Sequence, residues 1–91
     1  MTREDYVRKM HVLLDELNAE IDVVTKRAEN AGADVRDELA ELRARQDEAR
    51  TRLASLRESG EGAWQDLKAG VDLARDAVGE ALESARSRFR Q

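Results

Sequence analysis

The sequence predicts an all-α fold, an antiparallel helical hairpin that assembles as a coiled-coil or four-helix-bundle homodimer. Its composition is typical of long helices, with 40% charged residues, 3% aromatic residues and no proline. Apolar residues recur at seven-residue spacing, as they do along a coiled-coil seam. A segment with two glycines at residues 57–63 interrupts this repeat and divides the chain into two helices.

Length and charge exclude several classes of protein. The 91 residues suffice for a single domain, residues 1–91, and so small a chain commonly needs a partner to bury its apolar surface. The net charge of −4 disfavours binding to nucleic acid. The absence of cysteine fits a cytoplasmic location. We expect no signal peptide and no membrane-spanning helix, because no apolar run approaches the roughly 18 residues that a span requires.

The first predicted helix covers about residues 3–58 and begins at Thr2, which can form a capping box with Asp5. Its main evidence is an apolar repeat at seven-residue spacing with a second series between its members. The repeat consists of Val7, Leu14, Ile21, Ala28, Val35, Leu42, Ala49 and Leu56, and the second series of Met10, Leu17, Val24 and Ala31. Both series lie on one helix face, which favours a continuous helix.

A break at Gly32 is the alternative interpretation. Gly32 could end one helix and Asp34 could cap the next, which would give a three-helix bundle. A four-residue step also shifts the apolar stripe at Glu38. Beyond it the stripe continues as Leu39, Leu42, Gln46, Ala49, Leu53 and Leu56. Continuity is preferred because the repeat stays in phase through Gly32 and one helical glycine costs only about 1 kcal/mol.

Residues 59–62 are predicted to form the hairpin turn, with Gly60 in the left-handed conformation and Gly62 beside it. The second helix, about residues 62–90, carries an apolar stripe that starts at Trp64. Trp64 is expected to pack over the end of the first helix, and Phe89 to pack at the far end near Gly32. The predicted clasp of the hairpin consists of Leu53, Leu56, Trp64, Leu67 and Phe89.

The dimer prediction follows from helix length. The second helix would cover about half of the first and leave its most apolar part exposed. That part consists of Val7, Met10, Leu14, Leu17, Ile21 and Val24, which we assign to a homodimer interface. We assign to the same interface a ladder of small residues on the second helix, which would let another helix approach closely: Ala63, Gly70, Ala77 and Ser84. The alternative is that these residues merely fill a flank.

The remaining patterns point away from catalysis. Arg36, Arg43, Arg50 and Arg57 recur every seven residues, as a coiled-coil flank or an anion-binding face would. His11 and Asp15 could bind a metal only weakly, because Arg8 stands where a di-iron bundle needs glutamate. No serine has a plausible base. We therefore expect no catalytic, metal or cofactor site and no enzymatic activity.

Three segments resemble a family of small bacterial coiled-coil proteins described as cyanobacterial-type stress-response proteins. They are "MTREDYVRKM", "LDELNAEIDVV" and "RARQDEARTRLASLRESGEGAWQDLKAGVDLARDAV", and the piece from Trp64 to Val71 is the most distinctive. Leu17 and Arg75 stand where members of the family often carry tryptophan. The resemblance implies a non-catalytic, cytoplasmic, stress-associated protein and supplies no catalytic residues.

The expected function is that of a non-catalytic structural or interaction protein whose partners are a second copy of itself and, in addition, an unidentified protein. The alternative is a membrane-surface module in which the helix at 62–90 lies on lipid. It would use Trp64, Leu67, Val71, Val78, Leu82 and Phe89. The acidic outer face of this helix disfavours it, because membrane-surface helices usually carry lysine and arginine there.

Overall fold

The computed structural model describes residues 1–29 and 32–89, and side chains up to residue 88. Within these ranges the chain forms three α-helices and no strand: α1 (Arg3–Arg27), α2 (Ala33–Glu58) and α3 (Ala63–Phe89). The helices pack side by side into a bundle of 47 × 18 × 16 Å. The all-α prediction is confirmed.

Ion pairs and hydrogen bonds between helices define the topology. Arg43 of α2 pairs with Asp22 of α1, and Arg50, seven residues later on α2, pairs with Asp15, seven residues earlier on α1. The two helices are therefore antiparallel.

The first and third helices run in the same direction. The Tyr6 hydroxyl donates to Asp72, and Glu20, further along α1, pairs with Arg86, further along α3. The bundle is thus up-down-up, and the α1 N-terminus, the α2 C-terminus and the α3 N-terminus meet at one end.

The long helix predicted for residues 3–58 is wrong, and the alternative broken at Gly32 is the arrangement observed. The first helix ends at Arg27, and the Ala28 amide donates to the Val24 and Thr25 carbonyls. Gly32, with extended backbone angles of φ −71° and ψ 176°, is the N-cap of α2. Basic residues end α1 and Asp34 begins α2, so the break also suits both helix dipoles.

The break places the apolar face of α1 in the core of its own chain. Leu14 and Ile21 are fully buried, and Leu17 is half-buried against the core. Val7, Met10 and Val24, the other α1 members of the predicted dimer interface, are also buried. The argument that these side chains need a partner chain is therefore wrong, because α2 and α3 cover them.

The stripe predicted for the second half of the first helix is confirmed on α2. The buried residues of α2 are Leu39, Leu42, Gln46, Ala49, Leu53 and Leu56. Gln46 is the one polar member, and its amide nitrogen donates to the Leu14 carbonyl at 2.8 Å. This hydrogen bond fixes how α1 sits along α2, because it stays formed in only one register.

The turn lies at residues 59–62 as predicted, but its conformation differs from the prediction. None of the glycines in the described ranges has a positive φ angle, so the left-handed Gly60 is wrong. Ser59 ends α2 in an extended conformation with φ −75° and ψ 158°. The Gly60 carbonyl then accepts from the Ala63 and Trp64 amides, which starts α3 without a left-handed residue. Gly62 is exposed between these helices.

The N-terminal end of α1 follows the sequence. Thr2 and Asp5 form the predicted capping box, in which the Asp5 amide donates to the Thr2 hydroxyl and the Thr2 amide donates to the Asp5 carboxylate. The amide hydrogen bond at Thr2 lowers the pKa of Asp5. Across the described helices, none is both long enough and apolar enough to cross a membrane.

Candidate interaction surfaces

The two large aromatic side chains of the described chain meet at the end of the bundle. The Tyr6 and Trp64 ring centroids lie 5.9 Å apart, with the planes tilted by 37°. Lys68 places its ammonium 5.4 Å from the Tyr6 ring centroid, and Asp72 accepts the Tyr6 hydroxyl. We call Tyr6, Trp64, Lys68 and Asp72 the aromatic junction. It joins α1 to α3, because Tyr6 is the only one of the four on α1.

Burial and the Asp72 carboxylate control the ionisation of Tyr6. Burial raises the pKa of the Tyr6 phenol, and the hydrogen bond to Asp72 and the negative charge of Asp72 raise it further. The phenol therefore stays neutral and keeps donating at ordinary pH. A phenol held in this state serves as a structural donor rather than as a general base.

The predicted clasp residues occupy different environments. Trp64 is 6% exposed and belongs to the same core cluster as Leu53 and Leu56. Leu67 is 42% exposed and points away from that cluster. The Phe89 side chain lies outside the described part of the chain. Sequence reasoning missed Tyr6, because a two-helix hairpin offers no third helix for its ring to reach.

The small-residue ladder lies along the groove between α3 and α2. A Cβ atom on Gly70 would lie 3.2 Å from Nη1 of Arg52. The Ser84 hydroxyl donates to Glu38 at 3.3 Å. Gly70 and Ala77 are half-buried, and the end members Ala63 and Ser84 are exposed. Part of the ladder therefore accommodates α2 of the same chain.

Beside this groove two large apolar side chains remain in solvent. Leu73 is 70% exposed and Leu67 is 42% exposed. Gly70 and Ala74 lie between them, and shallow clefts against Arg52 adjoin both leucines. We call Leu67, Gly70, Leu73 and Ala74 the α3 flank.

Two members of the predicted arginine ladder act between helices. Arg43 pairs with Asp22 at 3.2 Å and Arg50 with Asp15 at 2.8 Å. Each pair is partly exposed, so each contributes only about 0–1 kcal/mol. The two pairs instead help to select the register of α1 along α2, since both form only in the observed alignment.

The described residues contain no group of three or more histidine, cysteine, aspartate or glutamate side chains placed to hold a metal ion. No protein-family model matches the chain, and neither a curated protein nor a solved structure is similar to it.

Proposed function

We propose that this protein is a non-catalytic interaction module that associates with a second copy of itself through the α3 flank. The observation that carries the proposal is the exposure of Leu73 and Leu67, 70% and 42%, on a chain that buries most of its other leucines. Gly70 and Ala74, beside these leucines, are half-buried against α2 and the core, so the two leucines stand at the edge of the α2–α3 groove. Adjacent exposed apolar side chains with polar neighbours are typical of association surfaces.

Charge favours a second copy as the occupant. On α3 the apolar residues are accompanied by exposed carboxylates at Asp66, Asp76 and Glu80. On the neighbouring side of α2 lie Arg45 and Arg52, each in an exposed ion pair within its own helix, with Glu41 and Glu48 respectively. A two-fold axis beside the α3 flank would set the acids of one copy against the arginines of the other, and each such contact would occur twice. The predicted homodimer is retained in this form, without the α1 part of its predicted interface.

The membrane-surface alternative would use the same side chains that hold the bundle together. Trp64, Val71 and Val78 are buried in the core. Lipid could reach them only after the bundle opens, so the closed fold favours protein contacts. A cytoplasmic location and a role in stress stay predictions from the sequence.

Substitution at Leu73 tests the proposal. We expect Leu73→Glu to convert a dimer into a monomer of unchanged helicity, because the charge would be desolvated at the interface. Molar mass from light scattering over a wide concentration range is the measurement. Val12→Glu is the matched control, since Val12 is 54% exposed on α1, and it should leave the dimer intact.

Two results would contradict the proposal. One is a parent protein that is monomeric at every concentration. The other is a dimer that survives Leu73→Glu but dissociates with Val12→Glu, which would move the interface to α1.

A further inference from the structure

At the end of the α1–α2 groove lies a cleft of about 350 Å³. We call it the arginine cleft, and its lining consists of Arg3, Glu4, Val7, Arg8, His11 and Arg57. Three guanidinium groups and one imidazole thus share the cleft with a single carboxylate. This is unusual in a chain whose net charge is −4.

The register of α1 and α2 explains how this positive charge collects. Arg43 and Arg50 pair with Asp22 and Asp15, and the next step of seven residues brings Arg57 opposite Arg8. The α1 position opposite Arg57 is therefore occupied by Arg8, whereas the corresponding positions opposite Arg43 and Arg50 are occupied by aspartates. The two cations therefore line the same cleft, and its one lining carboxylate belongs to Glu4.

The side chains of the cleft differ in how far they are engaged. Arg3 is 23% exposed, and its Nη1 donates to the Ser59 carbonyl at the end of α2. Its Nη2 pairs with Glu4 at 3.0 Å, so the one lining carboxylate is already neutralised. Arg8 lies 3.5 Å from Asp5.

Two side chains of the lining have unused donors. Within the described ranges, the Arg57 and His11 side chains have neither a hydrogen-bond nor an ion-pair partner. Arg3 is held in place across the two helices, whereas Arg57 is available. An anion between them would gain charge-assisted hydrogen bonds without breaking an existing pair of Arg57.

We propose that the arginine cleft binds a soluble phosphate monoester. The planar guanidinium groups of Arg8 and Arg57 match phosphate geometry, and the His11 ring adds a further nitrogen donor. Val7, 8% exposed, gives the cleft an apolar wall for the organic part of the ligand. The site lies on α1 and α2, away from the α3 flank, so it does not depend on the proposed dimer.

Phenyl phosphate is the probe, because it combines a phosphate monoester with a small apolar group. His11 is the only histidine of the chain, so its ring resonances in an NMR titration report on the cleft alone. We expect a saturable shift. Arg57→Gln should weaken binding by roughly tenfold or more, since it removes a charge-assisted hydrogen bond. Arg8→Gln should act in the same direction.

Arg36→Gln is the matched control, because Arg36 is an exposed member of the same ladder but lies outside the cleft. It should bind phenyl phosphate as the parent does, and circular dichroism should show equal helicity in all variants. Sodium chloride at matched ionic strength should produce no saturable shift, and benzoate should bind more weakly.

Several outcomes would overturn the proposal. Equal weakening by Arg57→Gln and Arg36→Gln would indicate general charge attraction. Benzoate binding as tightly as phenyl phosphate would exclude phosphate selectivity. Flotation with vesicles that contain phosphatidic acid, together with no binding of phenyl phosphate, would identify a lipid headgroup as the source of the phosphate.

Discussion

Replacing Leu14 with alanine is expected to lower the free energy of unfolding by about 2–5 kcal/mol, because the substitution leaves a cavity at a fully buried position. Domains of this kind have a total stability of about 5–15 kcal/mol, so the loss would be a large part of it. Leu14 also lies beside the hydrogen bond from Gln46 to its own carbonyl. Urea denaturation followed by circular dichroism measures the change.

The concentration dependence of this loss distinguishes two origins. If α1 packs in its own chain, the difference between variant and parent stays constant as protein concentration changes. If a partner chain covered Leu14, the loss would instead grow with protein concentration as the dimer forms, and it would disappear where the chain is monomeric. Val12→Ala is the control, because Val12 is 54% exposed and its truncation should alter stability by no more than about 0.5 kcal/mol. Equal losses at both positions would contradict the assigned core.

The second large effect is expected at high pH, where Tyr6 should act as the weak point of the bundle. Burial, and then Asp72, raise the pKa of Tyr6 above its ordinary value. Below a pH of about 10 the phenol is neutral in both folded and unfolded chains, and the stability is fully present. As the pH rises further, the unfolded chain ionises first, so stability falls.

Tyrosinate absorbance measures this directly, because Tyr6 is the only tyrosine of the chain. The absorbance should rise at a higher pH than in a free tyrosine and together with the loss of helix. Tyr6→Phe should remove much of the alkaline fall in stability, and Asp72→Asn should lower the pH at which the phenol ionises. Ionisation at the ordinary tyrosine pH with the helices intact would show that the aromatic junction does not form.

The sequence predicted the packed face of each helix well. The alternating steps from Leu39 to Leu56 identify the buried side of α2, because three- and four-residue steps keep side chains on one helix face. The capping box at Thr2 and the turn at residues 59–62 also follow from local chemistry. These features depend on residues close together in the chain.

The break at Gly32 could not be predicted from residues close together in the chain. The seven-residue repeats of α1 and α2 share the same phase although the helices are separate, so the periodicity does not reveal the break. A single glycine costs a continuous helix only about 1 kcal/mol, whereas each α1 side chain buried by folding back contributes roughly 1.5–3 kcal/mol. The free energy of packing α1 against α2 and α3 therefore decides whether the helix breaks at Gly32.

The candidate surfaces, likewise, are only partly predictable from the sequence. The exposure of Leu73 and the meeting of Arg8 with Arg57 both depend on which helices are neighbours. The seven-residue ladder placed Arg57 on the correct face, but only the antiparallel register of α1 and α2 shows what lies opposite. The arginine cleft could thus be suspected from the sequence and located only in the fold.

The bundle requires α1 to fold back along α2 within one chain, and a distance between two spin labels tests this most directly. The chain has no cysteine, so labels can be attached at Glu4→Cys and Glu58→Cys alone, and dilution with unlabelled protein removes distances between chains. We predict a short distance, with helix axes about 8–10 Å apart. A population near roughly 81 Å, the length of a continuous helix between these positions, would contradict the bundle and every surface derived from it.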